Sequence, residues 1–407
     1  MRATGPLRDA RFRRLLAGQT LASFGITALY LALGIWAKAL TGSNALAGTV
    51  FLALGIPTLF APLGGQLVDR VRRKPLIVLT NAGLALAVLS LLAVHSRSQL
   101  WLIYLVAAAT GLAMDISGAS RNALLKDMLP AHQLAQANAA VQTLSQGLQL
   151  ISPLVGAGLY AWLGGGGFAL FDVVVLSLAA LALATVRVTE SQRAVATGER
   201  FMTELLAGFR HLRSVPMLLQ LSVFAAAAFA VLGLAETVGF AVVDEGLHRP
   251  ASFYGVVTAV QGGGSLIGGL TVTRLMRPLG ESRTVGVSLA VVAAGFIGMI
   301  SSSVAVVLVG SAVIGLGVPW FIVGWNTALQ RYTPPRLQGR VGATGNMMLS
   351  VPQTLSIALG ASLISVVDYR ILLLVIIVGM TGAGLMLLIR PTPAPLTEPI
   401  IDVPVGN

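Results

Sequence analysis

Gly64-Gly-Gln-Leu-Val-Asp-Arg-Val-Arg-Arg-Lys-Pro75 decides how the rest of this chain is read. It sets four cations and one carboxylate between two apolar runs, each long enough to cross a hydrocarbon core of about 30 Å. A charged segment that short between two such runs is a tight loop at a membrane face, so the flanking runs form a hairpin of spanning helices. Composition agrees: 56% of the 407 residues are hydrophobic and 10% charged, where a soluble chain carries about 25% charged. The expected class is an all-α polytopic membrane protein.

The same stretch has an echo. Adding 204 to the positions of Gly64, Gly65, Arg70 and Arg73 gives Gly268, Gly269, Arg274 and Arg277. The identical shift carries Asn122, Leu125 and Pro130 onto Asn326, Leu329 and Pro334, and Gly111-Leu112 onto Gly315-Leu316. A constant offset of half the chain length means two copies of one unit. Thr273 stands where the first copy has Asp69, so only the first loop holds an acid.

Twelve segments are apolar and long enough to span, six in each copy. They are Leu15–Leu40, Ala45–Val68, Leu76–Val94, Leu100–Ala119, Leu134–Leu163 and Phe168–Val186, then Met217–Val243, Phe253–Met276, Val285–Ile300, Val304–Gln330, Val341–Val367 and Ile371–Ile389. Backbone amides in hydrocarbon must be satisfied within their own segment, which makes the spans helices. Of the 27 Lys and Arg, only Lys38, Arg97, Arg249 and Arg370 fall on one face. The positive-inside rule then puts both termini and the central linker in the cytoplasm, with the first helix serving as its own insertion signal. The expected domains are a six-helix bundle over 1–188, a linker over 189–214, a second bundle over 215–390 and a disordered, proline-rich tail over 391–407. Within the linker, Phe201, Leu205, Leu206, Phe209 and Leu212 recur at helical spacing, which fits an amphipathic surface helix as well as a solvated connector.

Several classes drop out. The net charge of +12 sits in short loops between spans and not on a soluble basic face, which excludes nucleic acid as a partner. There is no Cys, no nucleotide-binding Gly-x-x-x-x-Gly-Lys-Ser/Thr loop, no Gly-x-Ser-x-Gly and no His-Glu-x-x-His, so neither an enzyme nor a cofactor or metal is expected.

Gly65, Asp69, Arg70, Arg73 and Lys74 resemble the Gly-x-x-x-Asp-Arg-x-Gly-Arg-Arg/Lys signature between helices 2 and 3 of the major facilitator superfamily, with Arg72 where that family usually has Gly. The resemblance implies twelve helices in two pseudo-symmetric six-helix bundles, a parallel repeat being this superfamily's architecture. It also implies that Asp69 holds the halves closed on the cytoplasmic side, against the start of helix 11 around Gly342 to Gly345 and against Arg121. A plain loop charge serving topology is the alternative. The run from Arg121 to Pro130 with Ala137-Asn138-Ala139 resembles the helix 4 to 5 junction of drug and siderophore exporters. Ser152-Pro153 with Gly156 and Gly158 partly matches the helix 5 signature of drug:proton antiporters, with Ser152 and Ala157 as departures.

Polar residues form stripes within the spans. Gln19, Ser23, Thr27 and Tyr30 share one face of helix 1; Gln142, Gln146 and Gln149 share one of helix 5; Asn346 and Gln353 lie on helix 11. A polar stripe is costly against lipid, so it faces either a watery cavity or a neighbouring helix. Trp320, Trp325 and Phe321 join Tyr30 as candidates for stacking on cargo. Asp115 and Glu236 lie at membrane depth, with Asp172 nearer a face. Burial disfavours the charged form of a carboxylic acid, so Asp115 and Glu236 are candidate proton carriers, or else structural pairs. No Lys or Arg lies in mid-membrane, which favours a neutral or cationic amphipathic small molecule as cargo. The expectation is a monomeric, proton-coupled exporter in a bacterial plasma membrane, in contact with lipid. Alternatives are an importer or lipid flippase on the same fold, or a receptor or scaffold that transports nothing.

Overall fold

A computed structural model describes residues 6–59, 71–188, 201–334 and 337–389, which are helical with no strand among them. Gly65, Asp69, Arg70 and the tail beyond 389 lie outside the described residues. The N-terminal half comprises α1 (Ala10–Thr41), α2 (Asn44–Leu59), α3 (Arg73–Leu89), α4 (Leu100–Met128) and the pair α5 and α6, the two arms of Ala131–Ala184. A helix over Phe201–Ser214 follows. The C-terminal half comprises α7 (Pro216–Leu232, continued by Leu234–Ala241), α8 and α9, the two arms of Tyr254–Gly298, α10 (Val304–Arg331), α11 (Gln338–Leu363) and α12 (Tyr369–Ile389).

Single glycines make two of the hairpins. Gly164 between α5 and α6 has φ 69° and ψ 179°, and Gly280 between α8 and α9 has φ 72° and ψ 178°. That backbone region is open essentially to glycine alone, so the chain reverses there without a loop. At the start of α1, the Asp9 carboxylate caps the helix by accepting from the Arg11 amide at 2.8 Å. At its end Gly42, at φ 68°, sends its N–H back to the Lys38 carbonyl.

Element boundaries test the duplication directly. Shifted by 204, α4 becomes 304–332 against an observed Val304–Arg331, and α6, 165–184, becomes 369–388 against Tyr369–Ile389. Helix crossings repeat as well. A Cβ at Gly111 of α4 would strike the Leu54 carbonyl of α2, and one at Gly315 of α10 would strike the Gln261 carbonyl of α8. Likewise Gly156 of α5 lies against the Ala28 backbone of α1, and Gly360 of α11 against the Leu234 Cα of α7. Small residues at these four points let backbones touch, which is how helices associate where lipid removes the hydrophobic drive.

Eight stretches of described chain are apolar and long enough to cross a membrane by themselves, two of them running through a glycine hairpin. Two parts fall short on polarity and not on position: α11 and the first half of α5, which carry the Asn346 and Gln142 stripes. Polar inner helices are stable in a membrane only when neighbours cover them.

The halves meet toward one face, here the far face, opposite the linker helix. Lys38 Nζ binds Asp244 Oδ2 at 2.6 Å and Asn44 Nδ2 donates to Glu245 Oε1 at 2.6 Å. Below them Phe51 of α2 stacks on Phe240 of α7 with centroids 5.9 Å apart, and Gly255 of α8 receives Ala157 of α5. At the linker face, the Phe201–Ser214 helix docks on the C-terminal half: Gly208 meets Thr344 and the Arg340 carbonyl, and His211 Nε2 lies 3.0 Å from the Tyr332 carbonyl oxygen. Leu212 is buried there while Leu206 and Phe209 stay exposed.

Candidate functional site: a cavity between the halves

The cavity begins beside Gly233 of α7. Gly233 keeps helical φ −58° and ψ −28° and sits so close to the Gln353 carbonyl of α11 that any side chain would collide. The helix tightens there, with the Glu236 amide bonding back to the Gly233 carbonyl at 3.4 Å. Glu236 lies on the cavity wall beside Tyr30 of α1.

Around it lies a void of about 660 Å³, in the range of drug-sized ligand sites. Among the described residues, the N-terminal half contributes Tyr30, Leu31, Phe51 and Pro153, and the C-terminal half the others. Glu236 is the only charged residue among the described residues lining it. Thr258, Gln261 and Ser265 of α8, Asn326 of α10, and Asn346 and Gln353 of α11 supply neutral hydrogen-bonding groups. Two aromatic series flank the space: Tyr30, Phe51, Phe240 and Tyr254 with successive centroids 4.9, 5.9 and 5.0 Å apart, and Phe229, Phe321 and Trp325 at 5.1 and 6.3 Å. Such a wall binds flat or apolar bodies through ring faces and orients them by few polar contacts.

The predicted residues separate on this geometry. Glu236, Tyr30, Asn346 and Gln353 come together on the wall, with Phe321 and Trp325. Trp320 does not: its Nε1 donates to the Gly268 carbonyl and Thr271 Oγ1, both at 3.0 Å, which locks the ring between α8 and α10. Gln19 is buried, and Gln19, Ser23 and Thr27 are absent from the wall, so the α1 stripe meets the cavity through Tyr30 alone. The side chains of Gln142, Gln146 and Gln149 lie outside the described residues. Asp115 lies on α4 beside Thr58 of α2 and is absent from the cavity wall. Asp172 is fully buried on α6 against Gly25 of α1, and neither oxygen finds a donor among the described residues. Arg73 pairs with Asp127 at 2.7 Å, holding the start of α3 and the end of α4 together at the linker face. Lys74 stands beside it, and Arg121 is half-buried on α4, its Nε without a partner among the described residues.

Thr258, Gln261 and Ser265 were legible but missed: spacings of three and four put them on one face of α8. Tyr254 and Asn326 gave no such signal, being single polar groups near span ends.

The Major Facilitator Superfamily model matches residues 15–248 and 230–404. The chain belongs to this superfamily of transporters. It is 25% identical over 364 residues to macrolide efflux protein A of Streptococcus pyogenes, covering 86% of this chain and 88% of that one. It is 25% identical over 263 residues to the uncharacterized MFS-type transporter YfiS of Bacillus subtilis, covering 62% of this chain and 61% of YfiS. Among solved structures, a mutant of the nucleoside transporter NupG superposes with a TM-score of 0.76 at 12% identity, covering 93% of this chain and 99% of that one. A bacterial homologue of the iron transporter ferroportin gives 0.70 at 18%, covering 93% and 98%. At these identities the structures establish the fold, twelve helices in two six-helix halves, and this superfamily member is a multi-pass membrane protein.

Proposed function

We propose that this transporter exports a neutral or cationic amphipathic small molecule in exchange for protons, alternately opening the cavity to either side of a bacterial plasma membrane. The observation that carries the reading is that Glu236, the one charged residue among the described residues lining the cavity, stands beside Tyr30 of the opposite half. An ionised carboxylate attracts the Tyr30 hydroxyl more strongly than a neutral one, so protonation of Glu236 would loosen α1 from α7. Proton binding would then favour separation of the far-face contacts, and cargo binding would compete for the same wall. Termini and linker are cytoplasmic on this reading, with the cavity open to the cytoplasm and Lys38–Asp244 on the sealed outer side. The relatives named for macrolide efflux support export of bulky, amphipathic cargo. A gate at Asp69, Arg70, Arg73 and Lys74 remains part of the proposal, as do Asp115 as a second proton carrier and a monomeric working unit.

The experiment is transport of a panel of macrolides and cationic dyes in inside-out and right-side-out vesicles, with and without an imposed pH gradient. Uptake into inside-out vesicles that collapses with a protonophore, and in Glu236→Gln, is the expected result. Accumulation only in right-side-out vesicles would make the chain an importer.

A further inference from the structure

Four primary amides share the cavity wall: Gln261 of α8, Asn326 of α10, and Asn346 and Gln353 of α11. Each carries two N–H donors and a carbonyl oxygen with two lone pairs. Among the described residues only one of these groups is engaged, the Nδ2 of Asn326 donating to the Ile322 carbonyl at 2.8 Å. The wall's hydroxyls on α8 and α9 are spent on the backbone. Thr258 donates to the Tyr254 and Gly255 carbonyls, Ser265 to the Gly315 carbonyl and Ser288 to that of Val285. On α8, α10 and α11 the hydrogen-bonding capacity within reach of a guest therefore sits on the amides. They are accessible: Asn326 and Asn346 are exposed, and Gln261 and Gln353 partly so.

Helix crossings fix where two of them stand. Gly315 of α10 packs against the carbonyl of Gln261, and Gly233 of α7 against that of Gln353. Backbone contact at both points presents the side chains from a rigid frame. Asn346 and Gln353 are seven positions apart, two turns or about 10 Å along one face of α11. The amides thus approach the space from three helices and at more than one depth, beside the partly accessible rings of Tyr30 and Phe229. Neutral donors and acceptors spread in this way match a body with hydroxyls on several sides. A flat amide or nucleobase turns its polar groups along the edges of one plane. The C–H faces of a polyol ring also suit the aromatic part of the wall.

Resting on the reading of the cavity as the transport site, we propose that Gln261, Asn326, Asn346 and Gln353 select a neutral polyhydroxylated group, such as a sugar, carried by the cargo. The cargo class narrows to a hydroxyl-rich amphipath, whose apolar or cationic remainder lies toward Glu236 and the rings. Each hydroxyl both gives and accepts a hydrogen bond, which a side-chain amide answers with its two groups. A site built to bond hydroxyls loses affinity for an analogue without them, because its polar groups give up water and gain no partner.

The test uses the full chain in nanodiscs carrying bound tritiated tetraphenylphosphonium. The displacing agents are 4-methylumbelliferyl β-glucoside and 7-methoxy-4-methylcoumarin, a neutral pair with glucosyl or methyl on the same oxygen. The glucoside is expected to displace at a concentration at least tenfold lower. Asn346→Leu and, on another helix, Gln261→Leu are each expected to bring that ratio below threefold. Equal displacement by the pair in the unaltered protein, or a preference untouched by both substitutions, would overturn the polyol site and leave the transport site standing. Displacement by N-acetyltryptophanamide at the glucoside's concentration would make the wall an amide reader and overturn the polyol class. No binding of either tetraphenylphosphonium or the glucoside to the unaltered protein would overturn the reading of the cavity as well.

Discussion

In the N-terminal half Gly25 on α1 faces Asp172 on α6, and the 204-residue shift puts Phe229 on α7 and Ile376 on α12 in the same two places. Two further pairs follow suit: Ser117 and Arg121 of α4 become Phe321 and Trp325 of α10. Among the described residues, buried polar atoms without partners in the first half include those of Asp115, Ser117, Ser120, Arg121, Ser152 and Asp172, and in the second those of Ser222, Thr237 and Ser356. Duplication preserved the backbone crossings at Gly111 and Gly315, and then each copy took a different task. Most of the described cavity wall belongs to the C-terminal copy, and the buried carboxyl of Asp172 to the N-terminal one.

The largest effect should come from the acid that stands between the copies. Glu236→Gln removes the charge and keeps the shape, so proton-driven transport in proteoliposomes should drop more than tenfold while the melting temperature holds. Retained coupling would move the proton site to the N-terminal half.

The matched crossings come next. Gly111→Ala and Gly315→Ala each force a methyl into a backbone carbonyl, with an expected cost of about 1–3 kcal/mol in detergent unfolding. Gly263→Ala meets open space and should gain stability by about 0.5–1 kcal/mol, as usual for a helix interior. Unequal losses at 111 and 315 would break the symmetry of the crossings.

Asp172→Leu replaces an unpartnered buried carboxyl by the kind of side chain its counterpart Ile376 already is. Stability should rise by about 1 kcal/mol or more, since an unsatisfied buried polar group costs about 1–3 kcal/mol. A marked loss would mean that Asp172 has a partner in the membrane.

At the far face, Lys38 is nearly buried but Asp244 is half exposed, so their ion pair is worth no more than about 1 kcal/mol. Lys38→Met should raise alkylation of a cysteine placed at Thr237 a few-fold, by loosening the closed side. An unchanged rate would leave the seal to the Asn44–Glu245 bond and the packing of Phe51 on Phe240 and of Ala157 on Gly255.

The smallest effect concerns the cap of α1. The Arg11 side chain, hydrogen-bonded to the Asp9 carboxylate, holds that acid below its usual range. A depressed acid contributes above its unfolded value and loses the contribution as pH falls through the folded one. Asp9→Ala should cost about 0.5–1 kcal/mol at neutral pH and nothing in strong acid.

The fold was legible because membrane insertion writes itself into length and polarity. The offset of 204 relates the observed ends of α4 to those of α10 and of α6 to those of α12 within a residue. Gly164 and Gly280 were harder, since a one-residue reversal leaves no loop to see. Site residues were half legible for a geometric reason: a stripe names a helix face but not what that face meets. Hence Tyr30, Asn346 and Gln353 reach the cavity, Trp320 is pinned by Gly268 and Thr271, and Gln19 points into packing. The close approach of α7 and α11 at Gly233 could not be read at all, because it depends on how near the Gln353 carbonyl passes.

Proton movement during cargo export bears most directly on the central claim that one acid between unlike halves couples the two flows. In proteoliposomes holding a pH-sensitive dye, adding a transported macrolide to the unaltered protein should move protons opposite to the cargo, and Glu236→Gln should move none. Cargo flux without proton counterflow, or counterflow surviving Glu236→Gln, would contradict the account.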